Sequence, residues 1–452
     1  MSEKLAEITP TAVAASESSP QSAPETPSRG QILLCRVQTA VLIWAVFLAG
    51  WNDGTLGPLI PRIQKVYHLG YLVVALLFVF QALVRVPGSY LTVSFRTKIG
   101  FDYRRNHDYI FYTENRFRKG PCFQVVGYSL QAAALPYPVF AFASVLNGIG
   151  VSILDAQANG YVASIARSPE ARMGYTQAAY GAGIFAAPLV STQFAQQHHW
   201  SFHYLVSLGI TLSNILLLTL VFHAKPQNEC LAQLGQTGVS AGFSRRSHMR
   251  QMFSLSAVHL MALFLFVHVG VGVTNSGWTV TYMLNVRGGG ASAGYIAAGY
   301  AGGVVLGRIA LIPLNKLVGE SRIVYIYGLV AIGLQLVVWL VPSLIGGAVA
   351  IAFGGLVSGP IYPLALNRAA KLFPPWLLTA TMSWMAAMAT VGGAVVPFIA
   401  GAISSRVGIK SIQPVIVAGM ALMLVLWTIV PKHLEPPRRN QQTSESPSSP
   451  RS

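Results

Sequence analysis

The chain has 452 residues, of which 53% are hydrophobic and only 10% charged. A soluble domain carries roughly a quarter charged residues, so this chain cannot cover a water-facing surface, and its long apolar runs of about 20 residues read as bilayer spans. The net charge of +17 does not point to nucleic acid, because the basic residues sit in short loops and tails between apolar runs, where they report orientation instead.

Residues 1–30 are rich in Ser, Pro, Glu, Thr and Ala. They cannot bury a core and are expected to form a disordered tail without a cleaved signal sequence. Apolar spans follow near 32–60, 69–92, 122–135, 138–166, 173–195 and 201–223. After a polar linker over 224–251 come spans near 252–285, 291–314, 322–341, 344–372, 376–403 and 411–431, then a second disordered tail over 432–452. The expected organisation is a six-span half over 31–223 and a six-span half over 252–431. Eleven of these spans are legible from apolar length alone. The third is not: residues 101–121, FDYRRNHDYIFYTENRFRKGP, are strongly polar and leave a run that is too short to cross. Either the third helix is partly rebuilt from this segment, or the segment is foreign. A retained intron is the leading explanation and a cytoplasmic insertion the runner-up.

An even number of spans puts both termini on one side. Twenty-four Lys and Arg fall in segments on that side and five in the opposite loops, while Arg85 and Arg308 lie within spans. Both termini are therefore expected to be cytoplasmic. The cysteines Cys35, Cys122 and Cys230 are too few and too scattered for a disulfide framework or a metal site, and neither metal nor cofactor is expected.

A charge at bilayer depth costs several kcal/mol, so an ionisable residue inside a span is a functional candidate. Asp53 lies in the first span within Trp51-Asn52-Asp53-Gly54, and Asp155 in the fourth within Leu154-Asp155-Ala156-Gln157-Ala158-Asn159. Asp155 and Asn159 share a helix face. Desolvation favours the neutral form of a carboxyl, which makes both acids candidate proton sites. The alternative is that each Asp holds helices together through a basic or amide partner. Arg85, one turn after Gln81, could clamp an anionic substrate or neutralise either Asp, and the internal partner is favoured. Gln157, Gln177, Gln193, Asn275, Tyr362, Asn367 and Trp384 could line a cavity for a hydroxyl-rich ligand, although each amide alone could equally bridge helices. His268, deep in the seventh span, is the most suggestive histidine.

The halves echo each other. Trp51-Asn52-Asp53-Gly54 is answered by Thr274-Asn275-Ser276-Gly277-Trp278. Gly181, Gly183 and Pro188 are answered by Gly392, Gly393 and Pro397. Such repeats place a substrate cavity at their interface.

At these residues a family resemblance enters. The region 32–431 resembles a major facilitator. Gly307-Arg308 with Asn315-Lys316-Leu317-Val318-Gly319 is similar to the second-half copy of that superfamily's gating-loop signature, and Thr97-Lys98-Ile99-Gly100 is a degenerate first-half copy. The motif Asn52-Asp53-Gly54-Thr55-Leu56-Gly57-Pro58 and the segment 154–159 resemble the fucose/glucose/galactose–proton symporter family, its fungal branch in particular. Asp155 stands there in place of Glu, Gln177 matches a cavity-lining Gln, and Tyr180 stands where that family has Asn. The resemblance implies an all-α membrane fold of twelve helices in two halves. It also implies coupling to protons through Asp53 and Asp155, with Gln177 and Tyr180 at cavity positions; with these, the residues expected around the substrate are Asn52, Gln81, Asn159, Asn275, Tyr362, Asn367 and Trp384.

The expected function is secondary transport of a small polar solute, with a sugar as first candidate. The expected protein is a plasma-membrane monomer in the lipid bilayer with solute and protons as partners, and no nucleic acid. No nucleotide loop, metal cluster or nucleophile constellation suggests an enzyme. The alternatives are a non-transporting sensor on the same scaffold, or an isoform inactivated by residues 101–121.

Overall fold

The computed structural model describes residues 28–98, 116–165, 169–223, 229–230, 233–234 and 252–430. The two tails, most of the polar stretch 101–121 and nearly all of the linker 224–251 lie outside the described residues, which contain helices and no strand. The first half holds α1 (Arg29–Tyr67), α2 (Tyr71–Lys98), α3 (Arg116–Ala132), α4 (Tyr137–Ser164), α5 (Pro169–Ala195) and α6 (His203–Phe222). The second holds α7 (Ser256–Arg287), α8 (Tyr295–Ala310), α9 (Ile312–Val318), α10 (Glu320–Leu340), α11 (Leu344–Ser358), α12 (Ile361–Leu372), α13 (Pro375–Val407) and α14 (Ile412–Ile429).

Eight spans are long and apolar enough to cross a bilayer unaided, with α11 and α12 acting as one span. The pair α8–α9, bent by 55°, makes a ninth. The other three are α2, α3 and α5. α5 is diluted by Gly174, Gln177, Gly181 and Gly183. α3 begins in charge, at Arg116, Arg118 and Lys119. The third helix therefore reaches back into the polar stretch, to Arg116 among the described residues, and ends at Ala132 rather than 135. Packing of α3 against α4 and α6 overrides its weak local apolarity. Counted this way, the described residues hold twelve spans in two halves.

The halves repeat their packing. α1 pairs with α5 as α7 pairs with α13, α2 with α4 as α8 with α11, and α3 with α6 as α10 with α14. Small residues make these crossings possible, since helices in lipid gain most from close backbone approach. A Cβ on Gly50 would strike the carbonyl of Tyr180, and one on Gly183 the carbonyl of Phe47. In the second half, Gly392 meets the carbonyl of Phe266 and Gly270 that of Gly392. These contacts set Phe266 opposite Phe47, a register four residues away from the sequence echo that aligns Gly54 with Gly277. A shift of about one helical turn preserves the face, which is why the echo was visible but misplaced.

The halves meet along α1–α7, α2–α13 and α5–α8. Their hydrogen bonds gather at the end away from the termini. Leu72 N donates to Ser405 Oγ at 2.6 Å, Asn285 Nδ2 to Tyr71 OH at 3.2 Å, Gln196 Nε2 to the carbonyl of Ala291 at 2.7 Å, and Gln193 pairs with Tyr295. Gly57 packs on the carbonyl of Ser276, and Gly277 on the ring of Phe78. This end is sealed by backbone-close contact.

Candidate functional site

The site is built where α1, α2, α4 and α5 converge. Gly50 lets the backbone of Tyr180 approach α1. Asp53, three residues on, lies on the same side of the helix and receives the Tyr180 hydroxyl on Oδ2 at 2.7 Å. Arg85 closes on the same carboxylate with both terminal nitrogens: Nη1 donates to Oδ2 at 3.0 Å and Nη2 to Oδ1. Asn52 Nδ2 also donates to Oδ1, at 3.2 Å. The planar guanidinium fork matches two carboxylate oxygens, so the pair is oriented as well as neutralised. Its side chains keep 23% and 19% of their surface accessible for Arg85 and Asp53. That residual exposure leaves the pair reachable from the interior of the bundle.

α4 contributes one stripe. Gly148 packs against the carbonyl of Gln81, and Ser152 Oγ donates to the carbonyl of Arg85 at 3.2 Å. Asp155 and Asn159 continue this face at helical spacing. Asn159 Nδ2 donates to Asp155 Oδ1 at 2.9 Å. Among the described residues no cation lies within salt-bridge distance of Asp155. The two acids thus share one wall and differ in chemistry: Asp53 is held by a guanidinium and a phenol, Asp155 by an amide.

The other candidates divide. Tyr180 and Asn52 belong to this cluster. Gln81 lines a water-sized polar cavity behind it with Asn52, Thr55, Tyr128 and Asn147. Gln177 lies exposed one turn before Tyr180. Tyr362 is half-buried in the second half, within electrostatic reach of both Asp155 and Arg308. Asn275 does not join the site: it is buried between Thr279, whose hydroxyl reaches it at 2.9 Å, and Gln335, at 3.4 Å. Asn367 is exposed on α12. Trp384 stacks edge-on with Phe253 and His259, apart from the acids. Of the gating-loop residues, Gly307 packs on the carbonyl of Leu356, and Arg308 follows it within α8. Asn315 accepts from the Tyr327 hydroxyl at 2.7 Å, Lys316 is exposed, and Gly319 ends α9 at φ +90°.

Sequence reasoning passed over Tyr128 and Ser152. The Tyr128 hydroxyl donates to Asn52 Oδ1 at 3.1 Å and so orients the amide that supports Asp53. A tyrosine in an apolar run reads as packing, and only the unmet acceptor of Asn52 could have drawn attention to it.

Residues 260–452 match the family described as the Major Facilitator Superfamily. Over 433 residues the chain is 23% identical to bypass of stop codon protein 6 of Saccharomyces cerevisiae, covering 90% of this chain and 83% of that protein. The fold is similar to a D-xylose–proton symporter, with TM-score 0.70 and 12% identity over 88% of this chain and 98% of the other. It is similar to an inward-facing bacterial homologue of the human lysosomal transporter Spinster, with TM-score 0.66 and 13% identity over 89% and 96%. A third likeness is to the E. coli fucose:proton symporter, with TM-score 0.55 and 16% identity over 88% and 98%.

Proposed function

We propose that this chain, a major facilitator by fold and by the sequence of its second half and hence a transporter rather than an enzyme, moves a small polar solute by alternating access coupled to protons. The observation that carries this reading is the pair of neighbouring acids in the first half, one bound directly by Arg85 and one in no ion pair among the described residues. The solute is a sugar or a sugar derivative, in keeping with the two symporters of similar fold. Asp155 is the proton acceptor, because it has no direct ion pair to break. Asp53 is the anchor that fixes Arg85 and Tyr180 at the cleft wall.

Protonating Asp155 removes a charge from the first half and changes the free energy of closing the halves around solute. A ligand shifts such an equilibrium only by its differential affinity for the two states. Proton and solute are therefore coupled when both favour the closed cleft. With cytoplasmic termini, as the basic residues imply, the end held together by Leu72–Ser405 and Gln196–Ala291 faces away from the cytoplasm, and the plasma membrane is the natural site of such uptake.

The test uses the full chain in proteoliposomes and a panel of sugars and oxidised sugars, read by solute accumulation under an imposed pH gradient. Asp155→Asn is expected to abolish gradient-driven accumulation while leaving solute exchange intact. Asp53→Asn is expected to weaken both. Accumulation by Asp155→Asn with the wild-type response to the gradient would sink the assignment.

A further inference from the structure

A second arginine stands where the first half has Arg85. Gly148 packs against the carbonyl of Gln81 on α2, and Gly359 packs in the same way against the carbonyl of Val304 on α8. Four residues later come Arg85 and Arg308 respectively. The repeat thus supplies one guanidinium from each half, at matching positions along paired helices.

Their surroundings differ in charge. Arg85 has Asp53 from α1. The corresponding helix α7, Ser256–Arg287, contains no Asp or Glu. From 252 to 430 the only acid is Glu320, which is bound to Lys371. Arg308 makes no ion pair and no hydrogen bond among the described residues, and its Nε is buried without a partner. It is within electrostatic reach of Tyr180 from the first half, and of Tyr362 and His268 from the second. α8 carries it along the first half, where Gly181 of α5 packs on the side chain of Val305, three residues before Arg308.

An uncompensated guanidinium at bilayer depth costs several kcal/mol. In a working cycle that charge needs an anion, and its own half offers none. We propose that the cargo supplies it: the solute carries one carboxylate, bound by Arg308, on a hydroxyl-bearing body held by the polar first-half wall. This deepens and rests on the transporter reading, narrowing its substrate from sugars in general to hydroxylated carboxylates such as hexuronates. The fork of Arg308 takes both carboxylate oxygens. Tyr362, whose hydroxyl makes no hydrogen bond among the described residues, adds a neutral donor beside it. Asn159 and Gln177 offer amide donors and acceptors to the hydroxyls.

The experiment is binding to the purified full chain in detergent, which needs no flux. D-galacturonate and D-glucuronate are compared with D-galactose and D-glucose, pairs that differ only in the terminal carbon. The hexuronates are expected to bind at least ten-fold more tightly. Arg308→Gln is expected to weaken hexuronate binding by about 30-fold, the usual effect of removing one partner of a desolvated charge pair. Arg308→Lys should recover part of the loss, since it keeps the charge and loses the fork. Equal binding of the acid and neutral sugars in the unmodified protein, no hexuronate binding, or unchanged affinity in Arg308→Gln would each overturn the proposal. Arg308-dependent hexuronate binding without translocation would leave it standing and remove the transporter reading. Uptake of neutral sugar indifferent to Arg308 would do the reverse.

Discussion

Asp53 collects the Arg85 fork, the Tyr180 hydroxyl and the Asn52 amide, so every partner is left exposed to loss when the carboxylate goes. The pair retains about a fifth of its surface, which places it between a surface ion pair and a sealed one. Asp53→Asn removes the carboxylate from the guanidinium fork and is expected to cost about 1–3 kcal/mol. Adding Arg85→Met to Asp53→Asn removes the buried cation as well and should return part of that loss. A double-mutant cycle read by thermal unfolding in detergent checks this, and single variants as stable as the parent would show that the pair does not hold the bundle. Both charges were legible in the sequence because an ionised group inside a span is rare. Tyr128 and Ser152 were not, because a hydroxyl in an apolar helix looks the same whether it supports a site or packs. Asn275 was misleading for the converse reason: an amide in a span satisfies itself equally well against Thr279 and Gln335.

At the scale of the element, the glycines of α1 and α5 are specific in position rather than in number. Gly50 and Gly183 each face a carbonyl of the opposite helix, and a methyl group at either position meets backbone that cannot rotate away. Gly183→Ala is expected to destabilise the first half by about 1–3 kcal/mol, the usual cost of overpacking. It should also displace Tyr180 from Asp53, lowering transport further than the stability loss explains. Gly209→Ala and Gly333→Ala serve as controls, since a Cβ at either meets nothing within 4 Å. Relieved of glycine's backbone entropy, they should gain up to about 1 kcal/mol. Parallel melting curves and uptake assays separate these outcomes. Most spans were legible here, because 20 apolar residues have few other solutions. The third helix was legible only in part: its polar first turns beyond Arg116 are held by packing on α4 and α6 rather than by apolar composition. The bend between α8 and α9 follows from Pro313 in the first turn of α9.

For the whole molecule, the seal at the end away from the termini is the feature that transport has to break. α5 and α8 meet there closely: a Cβ on Gly294 would lie 2.9 Å from the Cβ of Thr192. Two cysteines at these positions need their Cβ atoms about 3.5–4.5 Å apart, a separation the helices reach by moving less than an ångström. Thr192→Cys with Gly294→Cys should therefore oxidise readily and hold the seal shut. Cys122 is exposed while Cys35 and Cys230 are buried, so the pair is best placed in a Cys122→Ser background to avoid mispairing. If the halves rock about a central site, oxidation abolishes transport and a reducing agent restores it, while binding from the open cleft survives in both states. Loss of binding along with transport would mean that the disulfide distorts the site. Undiminished transport in the oxidised protein would mean that the far end need not open, and that alternating access between these halves is not how the solute crosses.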